Sequence, residues 1–166
     1  MGHRITDNDS GIKRLLKDSK KMRGAHVRVG YPAGAAVAPP QKGGSKHKPV
    51  VALSEIATIA VTHEKGSISK NIPPRPTIGP TIDNKQKKIL KLKRKLANEI
   101  LSGRMSPDAA MNILGVFLEK EIKRAITLLR TPPLAPETIK RKKSTNPLID
   151  RNQMRGSVTY TVHYGK

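Results

Sequence analysis

The sequence has 166 residues, which suits one domain, and it contains no cysteine, which excludes disulfide frameworks and thiolate metal sites. Hydrophobic residues make up 36% of the chain and aromatic residues 2%, and 33 lysines and arginines against 12 acidic residues give a formal charge of +21. Such a charge is atypical of a soluble enzyme and favours contact with a polyanion or with acidic neighbouring subunits, the plainer alternative being a solvated basic surface without a specific ligand.

The low aromatic content also limits the core, which must be built from Leu, Ile, Val, Ala and Met. Such a core is thin for this length, so we expect part of the apolar surface to be buried against other subunits. No run of about 18 apolar residues occurs, so no membrane span is expected. The N-terminal segment lacks the apolar centre of an export signal, so export by that route is not expected.

The first predicted elements are a helix and a strand. A cap at Asp9 and Ser10, followed by apolar residues at helical spacing, predicts an amphipathic helix that ends near Gly24. Alternating apolar and polar residues then predict a short strand over residues 26–31. Residues 33–49 are rich in Pro, Gly and Ala and show neither the period of a strand nor that of a helix, which predicts a long mobile basic loop or arm. Three lysines of this loop either approach nucleic acid or only solvate it: Lys42, Lys46 and Lys48.

A second helix is predicted from about Val50 to Glu64, and Gly66 ends it. Its wide apolar stripe comprises Leu53, Ile56, Ala57, Ile59 and Ala60. After a polar loop, the Ile-Pro-Pro-Arg-Pro sequence at residues 72–76 predicts a rigid extended corner, because proline fixes φ and lacks a backbone donor. Arg75 is held between two prolines. It contacts either a neighbouring subunit or, as we favour, an internal partner such as Glu64 that pins the loop to the second helix.

Two longer helices follow. The third is predicted to begin near Thr81 or Asp83 and to end at Gly103. Its apolar residues follow 3-4-4 spacing, and its remaining faces carry Lys85, Lys87, Lys88, Lys91, Lys93, Arg94 and Lys95. Ser106 and Pro107 are typical of a new helix start. This fourth helix has the widest apolar face and is therefore predicted to be the core helix, burying Ile113, Leu114, Phe117, Leu118, Ile122, Ala125, Ile126 and Leu129.

The C-terminal part is predicted to hold one helical turn over residues 134–140 and a strand over residues 157–164. Between them lies a basic cluster made of Lys140, Arg141, Lys142 and Lys143. The last strand is expected to pair with the first. The predicted fold is therefore a single α+β domain over residues 1–166, with a small antiparallel sheet packed by amphipathic helices.

The motifs of common catalytic sites are missing from the sequence. His63 and Glu64 lack a second His four residues on, so zincin spacing fails, and we expect His63 at a helix end, where partial positive charge suits the dipole. No phosphate-binding glycine loop or Gly-x-Ser-x-Gly elbow occurs, and the acidic residues are dispersed. No catalytic residue, metal or cofactor is predicted. Aromatics that would stack bases are also lacking, which leaves non-specific attraction to phosphates.

Four stretches, in this order, resemble one known group of proteins. They are a basic helix leading into the Val-Arg-Val-Gly-Tyr-Pro strand at residues 27–32, the helix at residues 55–66 ending in His-Glu-Lys-Gly, the proline corner, and residues 133–150 before the last strand. With these stretches the chain resembles the neck and tail-completion proteins of tailed bacteriophages, the virion-morphogenesis group that includes minor tail protein Z-like proteins. The resemblance covers about 140 residues. Its structural signature falls on Glu64, Gly66, Pro73, Pro74, Arg75 and Pro76.

The sequence departs from the group's pattern at two places. Thr77 stands where the group usually has an aromatic residue, and Arg151 and Asn152 stand where it usually has Thr-Gly. The first departure concerns the packing of the corner. The second indicates a different turn into the last strand.

The resemblance implies a non-enzymatic virion protein at the head-tail junction, assembled in the host cytoplasm. It implies a homo-oligomeric ring, for which we favour a hexamer over a dodecamer, around a lumen that passes double-stranded DNA without reading its bases. The expected partners are other neck, portal-adaptor or tail-terminator proteins, and no contact with a membrane is expected. Two alternatives stay open: a non-specific nucleic-acid-binding basic protein, such as a ribosome-associated or nucleoid factor, and a tail-tube terminator.

Overall fold

The computed structural model describes residues 9–32, 35, 52–150 and 152–165. Most of the predicted 33–49 loop, with Lys42, Lys46 and Lys48, lies outside the described residues. The elements are α1 (Ser10–Met22), β1 (His26–Gly30), α2 (Leu53–Lys65), α3 (Ile78–Leu101), α4 (Pro107–Leu128), α5 (Pro136–Lys142), α6 (Gln153–Gly156) and β2 (Thr159–His163). This mostly helical arrangement with one small sheet confirms the predicted α+β class.

Helix α4 is the centre of the fold, as predicted. Its start follows the local signal, because Ser106 Oγ accepts a hydrogen bond from the Ala109 N–H at 3.2 Å and proline occupies the first turn. The helix packs against α3, both strands, α6 and α1. Its buried face comprises Pro107, Ala110, Met111, Gly115, Leu118, Ile122 and Ile126.

The predicted burial of Ile113 is wrong, since this side chain is 41% exposed. Helical residues advance by about 100° each, so Ile113 lies about 200° around the helix from the buried Met111. The apolar stripe predicted from the sequence is therefore wider than the face that α3 and the sheet cover.

The sheet consists of β1 and β2 in antiparallel pairing, which confirms the prediction. The register pairs Val27 with Val162 and Val29 with Tyr160. Val29 packs against a buried cluster of Ile122, Ile126, Leu148 and Val158. A second buried cluster joins α3 to α4 through Leu96, Ile100 and Ala110. The thin aliphatic core is thus divided into two parts, both supported by α4.

Three other boundaries or faces differ from the sequence-based prediction. Helix α3 begins at Ile78, earlier than the predicted start near Thr81. In α2 only Ile56 is buried and Ile59 is 41% exposed, so the predicted five-residue stripe is not a continuous core face. Helix α6 was not predicted, because four residues are too short to show a period. No helix among the described ranges is long and apolar enough to cross a membrane.

Gly115 allows β2 to approach α4 closely. A Cβ at this position would lie 2.2 Å from Tyr160 Cδ2 and 2.6 Å from Cγ, the root of the ring, so a small rotation of the ring does not relieve the overlap. Gly115→Ala is therefore expected to lower the free energy of unfolding by about 1–3 kcal/mol, although alanine is the better helix former. Chemical denaturation of both proteins measures the difference.

Gly11→Ala is the matched control for this substitution. Gly11 also lies in a helix, and no atom of the described residues stands within 4 Å of the place that an added Cβ would take. Here the same change is expected to be neutral or to stabilise the protein by up to about 1 kcal/mol. Equal effects at the two positions would contradict the close approach of Tyr160.

Candidate functional site

The proline corner begins with a carboxylate that caps a distant helix. Glu64, in the last turn of α2, accepts hydrogen bonds from the backbone N–H groups of Thr77 at 2.6 Å, Ile78 at 3.1 Å and Gly79 at 2.9 Å. These N–H groups have no partner within α3, and they lie at the positive end of its dipole. Glu64 therefore explains why α3 begins at Ile78.

Gly66 turns the chain from α2 into the corner. Its φ of 78° is in the left-handed region, and a Cβ there would lie 2.9 Å from the nitrogen of Pro74. Ser67 and Ile72 then exchange two backbone hydrogen bonds, of 2.8 and 2.9 Å, which close the loop between them. The Arg75 N–H donates to the His63 carbonyl at 2.6 Å, so the corner returns to the end of α2.

Arg75 is an internal structural residue. It is only 5% exposed, its Nε donates to the Pro132 carbonyl at 3.0 Å, and its Nη2 donates to the Pro133 carbonyl at 3.1 Å. Burial lowers the pKa of its guanidinium. The internal alternative of the prediction is confirmed, but the predicted partner is wrong, because Glu64 is committed to the start of α3. A contact of this side chain with a neighbouring subunit is not compatible with its burial.

The remaining signature prolines, Pro73, Pro74 and Pro76, are exposed, so they shape the backbone path more than they fill the core. Thr77, at the position where the resemblance leads us to expect an aromatic residue, is buried. Its N–H is the first of the three that Glu64 accepts. A small residue at this position leaves room for the carboxylate to reach the helix start.

His63 lies at the end of α2 as predicted, but the predicted positive charge is wrong. Burial lowers the pKa of its imidazole, and the positive charges of Arg75 and Lys142 lower it further. Its Nδ1 atom is buried and has no hydrogen-bond partner among the described residues. The neutral form is therefore favoured in the folded protein.

This lowered pKa makes stability depend on pH. In the unfolded state the imidazole of His63 has a pKa of about 6.5, and protonation of His63 favours that state. The contribution of neutral His63 to the stability of the folded protein is therefore fully present above this pH and is lost as the pH falls below it. His63→Gln is expected to flatten this part of the stability profile. Urea denaturation of both proteins between about pH 5 and pH 8 tests the expectation, the upper end serving as the reference. Parallel profiles would contradict it.

The basic residues predicted on α3 divide into one paired residue and an exposed group. Lys85 is half-buried and forms an ion pair with Glu121 at 2.7 Å, which lowers the pKa of that carboxyl. It therefore stabilises the packing of α3 on α4 and does not belong to a contact surface. The exposed group, called the α3 basic face, comprises Lys87, Lys88, Lys91, Lys93, Arg94 and Lys95.

The predicted cluster on α5 divides in the same way. Lys140, Arg141 and Lys143 are exposed. Lys142 is half-buried, and its Nζ donates to the carbonyls of Asn146 at 3.2 Å and of Pro147 at 3.1 Å. Lys142 therefore holds the turn that follows α5, and only its neighbours present charge to solvent.

A large open groove lies beside the corner. It has a volume of about 1460 Å³, and we call it the corner groove. It is lined by residues of α2 from Ile56 onward, by the loop at residues 66–75, and by residues from the segments 133–142, 147–150 and 152–154. Exposed Ile59 and Ile68 contribute apolar surface, and exposed Lys65, Lys70 and Arg141 contribute positive charge. The sequence did not predict this groove, because it joins segments that lie far apart in the chain.

Two further organising residues were also missed. Asn146 is buried, its Nδ2 donates to the Thr127 carbonyl at 2.9 Å, and its Oδ1 accepts from the Leu148 N–H at 2.9 Å. The Asn-Pro dipeptide was the sequence signal for it. Asp108 accepts hydrogen bonds from Lys21 and from the Tyr164 hydroxyl, joining α1, α4 and the end of β2. No local pattern indicates such a distant contact.

Among the residues with described positions, no group of three or more His, Asp or Glu side chains could hold a metal ion. The corner is built from backbone-directed bonds, and the basic surfaces are suited to anions. Comparison with known proteins found no matching family model, no matching curated protein and no matching solved structure.

Proposed function

We propose that this chain is a structural protein of the neck of a tailed bacteriophage, where a ring of copies joins the head to the tail around the DNA channel. The observation that carries the proposal is the role of the signature residues. Glu64 caps α3, Gly66 makes the turn, and Arg75 ties the corner to the segment after α4. The positions on which the resemblance rests are thus committed to architecture and not to chemistry.

Exposed apolar side chains support assembly into a ring. Several large aliphatic residues outside the corner remain exposed, among them Ile12, Leu16, Leu101, Val116 and Leu128. Contact with neighbouring copies is one way to remove such surface from water. Six copies at +21 each carry a charge of +126, and such a ring needs a polyanion or acidic partners to offset self-repulsion. DNA in the lumen and the adjoining neck, portal-adaptor or tail-terminator proteins would supply it.

Two measurements test this proposal. Mass photometry of the purified chain is expected to show a species of about 109 kDa, six copies of 18.2 kDa each, and negative-stain images are expected to show rings. Phage particles that lack the protein are expected to accumulate as filled heads separate from tails, assembly taking place in the host cytoplasm. Fully joined virions without the protein would contradict the proposal.

The α3 basic face favours one second candidate, a monomeric protein that binds nucleic acid without sequence preference. Lys88, Lys91 and Lys95 follow one another on one side of the helix, over about 10 Å of its axis. They are exposed and form no ion pair with another described residue. Such a row can contact successive phosphates of one strand.

The salt dependence of binding measures this interaction. Replacing Lys88, Lys91 and Lys95 by Ala is expected to reduce the slope of log K against log salt by up to about 2.7 on duplex DNA, about 0.9 for each phosphate that is no longer neutralised. The control replaces Lys13, Lys17 and Lys20 of α1, which removes the same charge elsewhere. Equal losses in the two triple variants would show a diffuse charge effect. Tight binding by a monomer that never forms rings would favour this second candidate over the neck.

A further inference from the structure

The corner groove has the size of a polypeptide site. Its volume of about 1460 Å³ exceeds the usual range for small-molecule pockets, about 300–1,000 Å³. A helix of about ten residues, roughly 10 Å wide and 15 Å long, occupies about 1200 Å³. One short segment of another protein therefore fits the groove, whereas a small ligand would leave most of it empty.

The lining combines apolar surface with positive charge. Ile59 on α2 is 41% exposed, Met154 is half-buried, and Ile68, in the loop of the corner, is fully exposed. An isoleucine without any cover on a loop that lines a groove is a natural anchor for an apolar partner.

The charges around the groove specify the partner's sign. Lys65, Lys70 and Arg141 are exposed, and none of them forms an ion pair or hydrogen bond with the described part of the chain. Asp150 is the one acidic residue in the described lining. Acidic side chains on the occupant would therefore find three cations ready to pair, and a second copy of this chain, itself at +21, is poorly suited.

The composition of the groove also distinguishes a peptide from a nucleic acid. Single-stranded nucleic acid is usually held by aromatic side chains that stack bases, and the described lining contains no Phe, Tyr or Trp. Duplex DNA is convex and presents phosphates, so the exposed aliphatic side chains of the lining would gain nothing from it. An amphipathic acidic helix uses both the apolar lining and the cations.

We propose that the corner groove binds an acidic segment of another protein, about ten residues long, with its apolar face against Ile59 and Ile68 and its carboxylates near Lys70 and Arg141. This surface is separate from the α3 basic face, and the proposal does not depend on the neck assignment. The chain would then offer one surface to nucleic acid and another to an acidic protein.

The first experiment uses designed peptides against the intact chain. A fluorescein-labelled peptide of about twelve residues, with Leu at i, i+3, i+4 and i+7 and Glu elsewhere, is compared by anisotropy with a Leu→Ser peptide and a Glu→Gln peptide. The peptide with both Leu and Glu is expected to bind at least about tenfold more tightly than either control peptide, since its apolar side chains and its carboxylates both contact the groove. Equal binding of the Leu→Ser peptide would reduce the effect to charge attraction and overturn the proposal.

The second experiment locates the binding by matched variants. Lys70→Glu with Arg141→Glu is expected to weaken peptide binding by about tenfold or more, whereas Lys87→Glu with Lys91→Glu, the same charge change on α3, should alter it less than about twofold. Ile68→Ser is expected to weaken it and Val116→Ser, on exposed α4 surface, to leave it unchanged. All these positions are exposed, so folding is expected to persist, and thermal melts check this.

Specific results would overturn the groove proposal without touching the neck. If the two charge-reversed variants lose peptide binding equally, the groove has no specific partner. If duplex DNA displaces the peptide and its own binding also needs Lys70 and Arg141, the groove belongs to nucleic acid. Ring formation by the same variants is followed in parallel by mass photometry. Rings without peptide binding, or peptide binding without rings, separate the failure of one proposal from that of the other.

Discussion

Glu64→Ala is expected to lower the free energy of unfolding by about 2–4 kcal/mol. The substitution leaves three N–H groups of the α3 start, those of Thr77, Ile78 and Gly79, without their acceptor. It also removes a negative charge from the positive end of the helix dipole. Urea denaturation followed by circular dichroism measures the loss.

A matched pair of variants separates capping from general effects of removing a carboxylate. Glu55→Ala removes an exposed Glu from the same helix and should cost no more than about 0.5 kcal/mol. Glu64→Gln keeps one acceptor oxygen but not the charge, so its cost is expected to lie between the two. If Glu64→Ala cost no more than Glu55→Ala, water would be capping α3 as well as the carboxylate does.

Arg75→Ala is expected to lower the free energy of unfolding by about 2–4 kcal/mol, because it removes two hydrogen bonds from a charged donor and opens a space in the corner. The carbonyls of Pro132 and Pro133 lose their partner. Arg75→Lys retains the charge but not the planar fork, so it should recover only part of the loss. Arg141→Ala, at an exposed arginine, is the control and should change stability by less than about 0.5 kcal/mol.

Arg75→Ala is also expected to impair ring assembly, and the neck proposal implies that no catalytic activity is lost with it. The cause would be the loosened corner and not a missing bond between subunits, because the side chain is buried within one copy. Assembly should therefore recover under conditions that restore the fold, such as lower temperature or a stabilising osmolyte. A folded Arg75→Ala protein that still forms no rings would instead place the corner at an interface.

Elements with local signals could be predicted from the sequence. The Ser106 and Pro107 start of α4, the glycine that ends α2 and the alternation in β2 each depend on residues within a few positions. The pairing of the two strands could be predicted because the sequence offered few other candidate strands. Fold class and core helix were accordingly predicted correctly.

Features that depend on distant partners could not be predicted. The cap of α3 is supplied from 13 residues away, and the partners of Arg75 lie 57 and 58 residues along the chain. Lys85 is indistinguishable in sequence from its neighbours on α3, and only the Glu121 carboxylate beside it sets it apart. The number of lysines identifies basic helices, but only the packing decides which charges are already paired.

The corner has a mechanical consequence. The end of α2, the start of α3 and the segment that follows α4 meet at one place, held by Glu64 and Arg75. Tension applied along α3 is therefore transmitted to the end of α2 and to the segment after α4 through short polar bonds, in addition to the chain of residues 66–75. In the proposed neck ring, such a stiff joint would keep the shape of each copy beside the DNA channel, whereas a hinge at this place would absorb the load.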